Sequence, residues 1–208
     1  EFAECRLKAR FLTGLANEFD LFETIKASWQ DGPRHLDLHL ARIAASAAYF
    51  GMPFDEEAAR ALVVDACLGL PRKGGLHRLR LALAAGGELA ITSAPLSPLS
   101  EPVRLVLADA PTASNDVFLR HKTAVRSRYD AAWRSAEAQG AFDALFFNEH
   151  GELTEGGRSN VFVLLDGQWC TPPLGCGLLP GVMRSVMLAA PAWDAVERVI
   201  TREMLLRA

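Results

Sequence analysis

The spacing of apolar positions in the first half of the chain predicts a small domain of strands and helices. Apolar residues alternate partly in its strand-like segments, and a helical period begins at His39 and ends at Gly51. Asp55 stands where a side chain can cap a second helix, and Ala85–Gly87 has the composition of a hairpin turn. The predicted strands cover 19–28, 34–38, 76–84 and 88–92, and the predicted helices cover 39–50 and 56–68.

The second half predicts a larger α/β unit. A Ser/Pro-rich segment at 93–102 separates the halves, and we place the boundary between a small domain, 15–108, and a larger one, 109–208. A further predicted strand, 103–108, ends the small domain. In the larger domain the predicted strands cover 144–147, 161–165, 168–171 and 196–200; the predicted helices cover 122–139 and 182–190, and one begins at 201. The helix at 122–139 would bury Val125, Tyr129, Ala132, Trp133 and Ala136. The fold class is therefore α+β.

Composition excludes several classes of function. The chain has 208 residues, of which 50% are hydrophobic and 23% charged, and its net charge is −3 with a pI near 6.0. This balance argues against nonspecific binding to nucleic acid, and no apolar run reaches the roughly 20 residues of a membrane helix. The four cysteines lack zinc-site spacing, and His35 and His39 straddle a strand-to-helix change, so we predict no metal site. We expect a cytoplasmic protein.

Two residues stand out as candidate chemistry. Glu155 lies between two apolar runs and precedes Gly156 and Gly157, which permit a sharp turn or the close approach of another group. Lys122 lies 33 residues upstream, at the predicted entrance of a helix. Alone, a lysine at a helix entrance is usually a solvated charge and a turn glutamate is usually a surface acid.

Three motifs together carry a family resemblance. They are His121–Lys122–Thr123, the segment 148–160 (NEHGELTEGGRSN) and the segment 178–184 (LLPGVMR). In this order and spacing they resemble the pyridoxal-phosphate enzymes of the class IV aminotransferase family, and within it most closely the aminodeoxychorismate lyases. The resemblance spans about residues 18–208. It implies a two-domain, fold-type IV architecture like that of D-amino acid aminotransferase, with the cofactor in the interdomain cleft.

The resemblance also implies roles for individual residues. Lys122 would hold the cofactor, pyridoxal 5'-phosphate, as a Schiff base and would then move protons. Glu155 would keep the pyridine nitrogen protonated, and Asn160 would belong to the same cofactor-binding set. The phosphate would be bound by the planar fork of Arg42 and by the start of a helix. That helix start comprises Gly181, Val182 and Met183.

The activity implied is elimination of pyruvate from 4-amino-4-deoxychorismate, which gives 4-aminobenzoate for folate synthesis. The cofactor motifs leave open a transaminase for D- or branched-chain amino acids, and a noncatalytic dimerisation or docking module is a third possibility. The family generally forms homodimers. Residues 1–14 resemble the tail of a chorismate-binding synthase domain, as in a fused para-aminobenzoate synthase that works with a glutamine amidotransferase. We also expect the larger domain to continue beyond Ala208.

Overall fold

The computed structural model describes residues 19–208, which divide into two compact units. The described part of unit 1 comprises residues 19–98 and Lys122–Ala124, whereas unit 2 comprises Leu99–His121 and Val125–Ala208. The division falls at Pro98, earlier than the boundary placed after residue 108. Helices and sheets are mixed in both units, which agrees with the α+β class. The predicted upstream tail at 1–14 lies outside the described residues.

The described part of unit 1 is an antiparallel sheet with two helices. Its strands are ordered β2-β1-β3-β4. The elements are β1 (Leu21–Ser28), β2 (Gly32–Pro33), α1 (Leu36–Phe50), α2 (Glu56–Leu68), β3 (His77–Leu83) and β4 (Leu89–Pro95). Ile25, Leu40, Val63, Leu79 and Leu81 are buried together in the core between sheet and helices. The hairpin at Ala85–Gly87 and the cap at Asp55 are confirmed: the Asp55 side chain accepts a hydrogen bond from the Ala58 amide at 2.9 Å.

The predicted strand over 34–38 is wrong. Only Gly32 and Pro33 pair with β1, and helix α1 begins at Leu36, three residues before the predicted start. His35 adopts a left-handed backbone conformation, with φ of 54°, which turns the chain directly from the hairpin into the helix. The apolar residues of this segment therefore belong to the first turn of α1.

The prediction that Lys122 stands at a helix entrance is also wrong. Residues 122–124 are extended and lie along β1, where Thr123 forms a bridge with Leu21. The Phe22 amide donates to the Lys122 carbonyl at 3.0 Å, and the Ala124 amide donates to the Asp20 carbonyl at 2.8 Å. These hydrogen bonds fix the backbone of Lys122 at the edge of the sheet of unit 1.

Unit 2 contains two three-stranded sheets, ordered β5-β6-β7 and β10-β9-β8. In the first sheet β5 runs parallel to β6, and β7 is antiparallel to β6. The strands are β5 (Leu105–Leu107), β6 (Asp143–Phe147), β7 (Leu153–Gly156), β8 (Val163–Leu165), β9 (Gln168–Thr171) and β10 (Val196–Glu197). The helices are α3 (Ser127–Ala138), α4 (Val182–Ala189) and α5 (Arg202–Leu205), with 3₁₀ turns at Val117–Arg120 and Leu174–Cys176.

Helix α3 begins five residues later than predicted, at Ser127. Tyr129 and Ala136 are buried against Phe146 of β6, as their helical spacing predicts. Val125 precedes the helix and is 47% exposed, so its predicted place on the buried face is wrong. Residues 122–124 pair with β1 and the helix begins only at Ser127, so the helical period does not extend back to Val125.

Within the described range of 19–208, no helix is long and apolar enough to cross a lipid bilayer.

Candidate functional site

Glu155 is a buried carboxylate in unit 2. It lies on β7, whose pairing with β6 leaves the residue only 7% exposed. Tyr129 donates its phenol proton to Oε1 at 3.2 Å, while the Asn160 side-chain amide and the Leu179 backbone amide each donate to Oε2 at 3.2 Å. Hydrogen-bond donors on both oxygens stabilise the charged carboxylate and fix its plane.

The turn that follows Glu155 is wrapped around the carboxylate of Asp143. This side chain is fully buried and accepts hydrogen bonds from the amides of Gly157 (3.0 Å) and Arg158 (3.1 Å) and from the Ser159 hydroxyl (2.9 Å). A buried carboxylate tolerates loss of water only when such donors replace it. The turn is therefore held from inside, and this brings Asn160 back to Glu155.

Two glycines in unit 2 are required by close approaches. A Cβ at Gly156 would lie 2.6 Å from Asp143 Oδ2, and a Cβ at Gly181 would lie 1.7 Å from Asn160 Oδ1. Both distances are shorter than van der Waals contact allows. Asn160 also donates to the Leu179 carbonyl at 3.0 Å, so Gly181 lets this amide reach the segment that precedes α4.

The start of α4 is the predicted phosphate-binding element. Gly181 is its N-cap, and the amides of Val182 and Met183 belong to the first turn, where no intrahelical acceptor exists. The Gly181 amide itself donates to the Leu179 carbonyl at 2.8 Å. Of the three predicted residues, Val182 and Met183 therefore offer the amides for an anion, and Gly181 provides space.

In unit 1, Arg42 is part of a buried cluster of charge. Its guanidinium bonds both carboxylate oxygens of Glu23, with Nε at 2.8 Å from Oε1 and a terminal nitrogen at 2.5 Å from Oε2. His39 Nδ1 lies 2.6 Å from the same Oε2. Glu23 is 1% exposed, so the fork of Arg42 is held in one orientation.

The Glu23 cluster makes stability depend on pH. Burial acts to raise the pKa of Glu23, but the hydrogen bonds from His39 and Arg42 outweigh it and hold the pKa below its ordinary value of 4.5. Ionised Glu23 therefore stabilises the fold above that value, and the stabilisation is lost as the pH falls through the lowered folded pKa.

We expect Glu23→Gln to lower the free energy of unfolding by about 3 kcal/mol at neutral pH, because it leaves a buried arginine without its full counter-charge. Urea unfolding of parent and variant at about pH 7 and about pH 4 measures this, and the difference should shrink at the lower pH. Asp37→Asn is the matched control, since it removes an acid of the same unit that is exposed and bonded to Arg60. Equal effects of the two changes would contradict the prediction.

Lys122 lies in unit 1 with Arg42. Its amine is 4.8 Å from the centre of the Phe22 ring, a cation–π distance, while its backbone is held by β1. The neighbouring His121 belongs to unit 2, and burial followed by the charge of Arg120 lowers the pKa of His121. His121 is therefore biased towards its neutral form.

The structure brings some of the predicted residues together in unit 2. Glu155 and Asn160 are hydrogen-bonded to each other in unit 2, and Asn160 also contacts the start of α4 through Gly181. Sequence reasoning missed Tyr129 as a partner of Glu155, because an aromatic residue on an apolar helix face predicts only core packing.

Glu23 and Asp143 were missed as well. Glu23 had a detectable signal: it occupies an inward position of an alternating strand, between the buried Leu21 and Ile25. Asp143 had a weaker one, an acid at the head of an apolar run. Among residues 19–208, no cluster of three or more His, Cys, Asp or Glu side chains could hold a metal ion.

Comparison with known proteins gives consistent results. The sequence model of the family described as amino-transferase class IV matches residues 20–208. A Schizosaccharomyces pombe protein provisionally named an aminodeoxychorismate lyase is 32% identical over 181 residues, which are 82% of this chain and 74% of that protein.

Solved structures share the fold. A protein from Mesorhizobium loti, provisionally named an amino-acid aminotransferase, superposes with a TM-score of 0.81 at 36% identity and 90% coverage of both chains. A protein from Legionella pneumophila, provisionally named a 4-amino-4-deoxychorismate lyase, superposes with a TM-score of 0.75 at 24% identity, covering 88% of this chain and 74% of the other. The architecture is that of the fold-type IV aminotransferases.

Proposed function

The chain belongs to the class IV aminotransferase family, and from this premise we propose that it is a pyridoxal-phosphate-dependent lyase that converts 4-amino-4-deoxychorismate into 4-aminobenzoate and pyruvate. The single observation that carries the proposal is the buried Glu155 carboxylate with donors on both oxygens. A carboxylate held as an anion is the partner that a protonated pyridine nitrogen requires.

The residues present fit this cofactor. Hydrogen bonds from Tyr129, Asn160 and Leu179 fix the buried Glu155 carboxylate in place, and an anion held in this way is a suitable partner for a pyridinium N–H. The first amides of α4 suit a phosphate, because they lack intrahelical acceptors and the helix dipole favours an anion there. Asn160 links the two features, since it bonds Glu155 and lies within contact of Gly181.

We assign the remaining roles to unit 1. Lys122 supplies the amine that bonds the cofactor aldehyde covalently, and Arg42 supplies a cation for the phosphate while Glu23 fixes its orientation. When bound, pyridoxal phosphate supplies an electron sink for the carbanion left after proton removal.

The proposed reaction is a balanced elimination. Lys122, once the substrate amine has taken its place on the cofactor, removes the proton from the ring carbon that bears this amine, and the electron pair of that C–H bond becomes part of the aromatic ring as the neighbouring C–O bond breaks. The enolpyruvyl group leaves with that oxygen and accepts a proton, most directly from Lys122, to give pyruvate. Aromatisation drives the reaction, so the protein mainly has to hold the substrate and direct the proton.

Support for a lyase comes from the residues of the motif at 154–160 and from the name of the S. pombe relative. A transaminase is the second candidate, because the M. loti protein is named an amino-acid aminotransferase and is 36% identical. The residues assigned to the cofactor serve both reactions. The substrate therefore has to be decided by experiment.

The deciding experiment supplies the protein with pyridoxal 5'-phosphate and follows two products in parallel. Release of 4-aminobenzoate from 4-amino-4-deoxychorismate, measured by chromatography with fluorescence detection, is the expected result. Release of a 2-oxo acid from D-alanine or from a branched-chain amino acid, without 4-aminobenzoate, would replace the lyase with the transaminase. Cofactor binding with neither product would overturn both activities, and absence of binding would favour a noncatalytic module.

A further inference from the structure

Tyr129 is a buried phenol whose polar end faces Glu155. The residue lies on α3 and is 8% exposed. The centre of its ring is 4.5 Å from the centre of the Phe146 ring, and this packing fixes the side chain in the core of unit 2. The phenol oxygen then lies 3.2 Å from Glu155 Oε1 and donates to it. The core packing of the ring therefore determines where this hydroxyl points.

The hydroxyl complements the donors from Asn160 and Leu179. Asn160 and Leu179 both bond Oε2, so Tyr129 holds the opposite oxygen, and the plane of the carboxylate is fixed from two sides. The backbone of β7 alone would leave the terminal rotation of Glu155 free. The phenol removes part of that freedom.

The surroundings keep the phenol protonated. Burial and then the charge of Glu155 raise the pKa of Tyr129 above its ordinary value of 10.0, and the nearby Asp116 acts in the same direction. Arg126 acts in the opposite direction, with its guanidinium 5.9 Å from the centre of the Tyr129 ring. Tyr129 is therefore a donor, and never a competing anion, at neutral pH.

We propose that Tyr129 is a positioning residue for the reaction, which orients Glu155 and limits its basicity so that the proton shared with the pyridine nitrogen stays on nitrogen. The proposal rests on the proposed function. A carboxylate that loses a donor becomes more basic. Without the phenol, Glu155 would draw that proton towards itself, and the cofactor would become a weaker electron sink.

The chain offers a clean pair of variants, because its two tyrosines are Tyr49 and Tyr129. Tyr129→Phe removes only the hydroxyl and keeps the packing against Phe146. Tyr49→Phe makes the same chemical change on α1 in unit 1, at a side chain that is 60% exposed.

The experiment loads the parent and both variants with pyridoxal phosphate labelled with ¹⁵N in the ring and records the ¹⁵N chemical shift, the cofactor dissociation constant, kcat and KM. For Tyr129→Phe we expect a shift towards that of unprotonated pyridine and a roughly tenfold lower kcat, with a smaller change in KM. Tyr49→Phe should match the parent.

A lower Tm of Tyr129→Phe with unchanged ¹⁵N shift and kcat would show that the phenol only stabilises the fold, and this would overturn the proposal. An unchanged shift with unchanged stability would overturn it too. A parent protein that binds no cofactor would instead refute the proposed function, and the proposal with it, so the two failures are distinguishable.

Discussion

Replacing Lys122 by alanine should reduce release of 4-aminobenzoate at least about a thousandfold, because one amine is assigned both the covalent bond to the cofactor and the proton transfers. The loss should leave folding nearly intact. The backbone of Lys122 is held to β1 through its carbonyl, and the ring contact of its amine with Phe22 is an interaction of about 1 kcal/mol.

Three measurements separate the chemical role of Lys122 from a structural one. Borohydride reduction followed by peptide mass spectrometry should attach the cofactor to Lys122 in the parent and to no residue in the variant, and thermal unfolding should be similar in both. Lys26→Ala is the matched control. Lys26 is an exposed lysine on β1, the strand that pairs with the Lys122 segment, and its replacement should leave full activity. Cofactor attached to another lysine of the parent would refute the assignment.

The elements that were predicted correctly are determined by residues close together in the sequence. The helix capped by Asp55 and the hairpin at Ala85–Gly87 are determined by residues within a few positions of each other, so the pattern alone identified them. The start of α4 after Pro180–Gly181 was predicted for the same reason.

The errors arise where a residue distant in the sequence determines the local structure. Lys122 was assigned to a helix, but its segment pairs with Leu21 about 100 residues away, and no local pattern records such a pairing. The incorrect placement of Val125 on the buried face of this helix follows from the same error. The strand prediction over 34–38 is wrong because His35 adopts a left-handed backbone conformation, which a histidine in the sequence does not predict.

Part of the candidate site was predictable and part was not. The motif placed Glu155 and Asn160 in one segment, and the structure joins them by a hydrogen bond. The supporting residues come from other elements: Asp143 from β6 and Tyr129 from α3. Their types, an acid at a strand end and an aromatic on a helix face, are common in any core, so only three-dimensional contacts reveal what they hold.

Glu155→Gln should reduce 4-aminobenzoate release by at least about a hundredfold while the cofactor still binds. Glutamine has nearly the same shape but no charge, so it cannot hold a proton on the pyridine nitrogen. It also turns one acceptor into a donor. If its NH₂ replaces Oε2, it faces the amides of Asn160 and Leu179, which are themselves donors. If it replaces Oε1, it faces Tyr129, whose hydroxyl can rotate to accept.

The second orientation costs less, so the glutamine should keep its carbonyl oxygen on Asn160 and Leu179 and its NH₂ towards Tyr129. The variant should therefore fold, and its defect should appear in kcat and in the ¹⁵N shift of the labelled cofactor. Glu137→Gln, on the exposed side of α3, is the matched control and should match the parent. Full activity of Glu155→Gln would mean that the pyridine nitrogen needs no charged partner here, and the role of this carboxylate would then be limited to holding Asn160 and Leu179 in place.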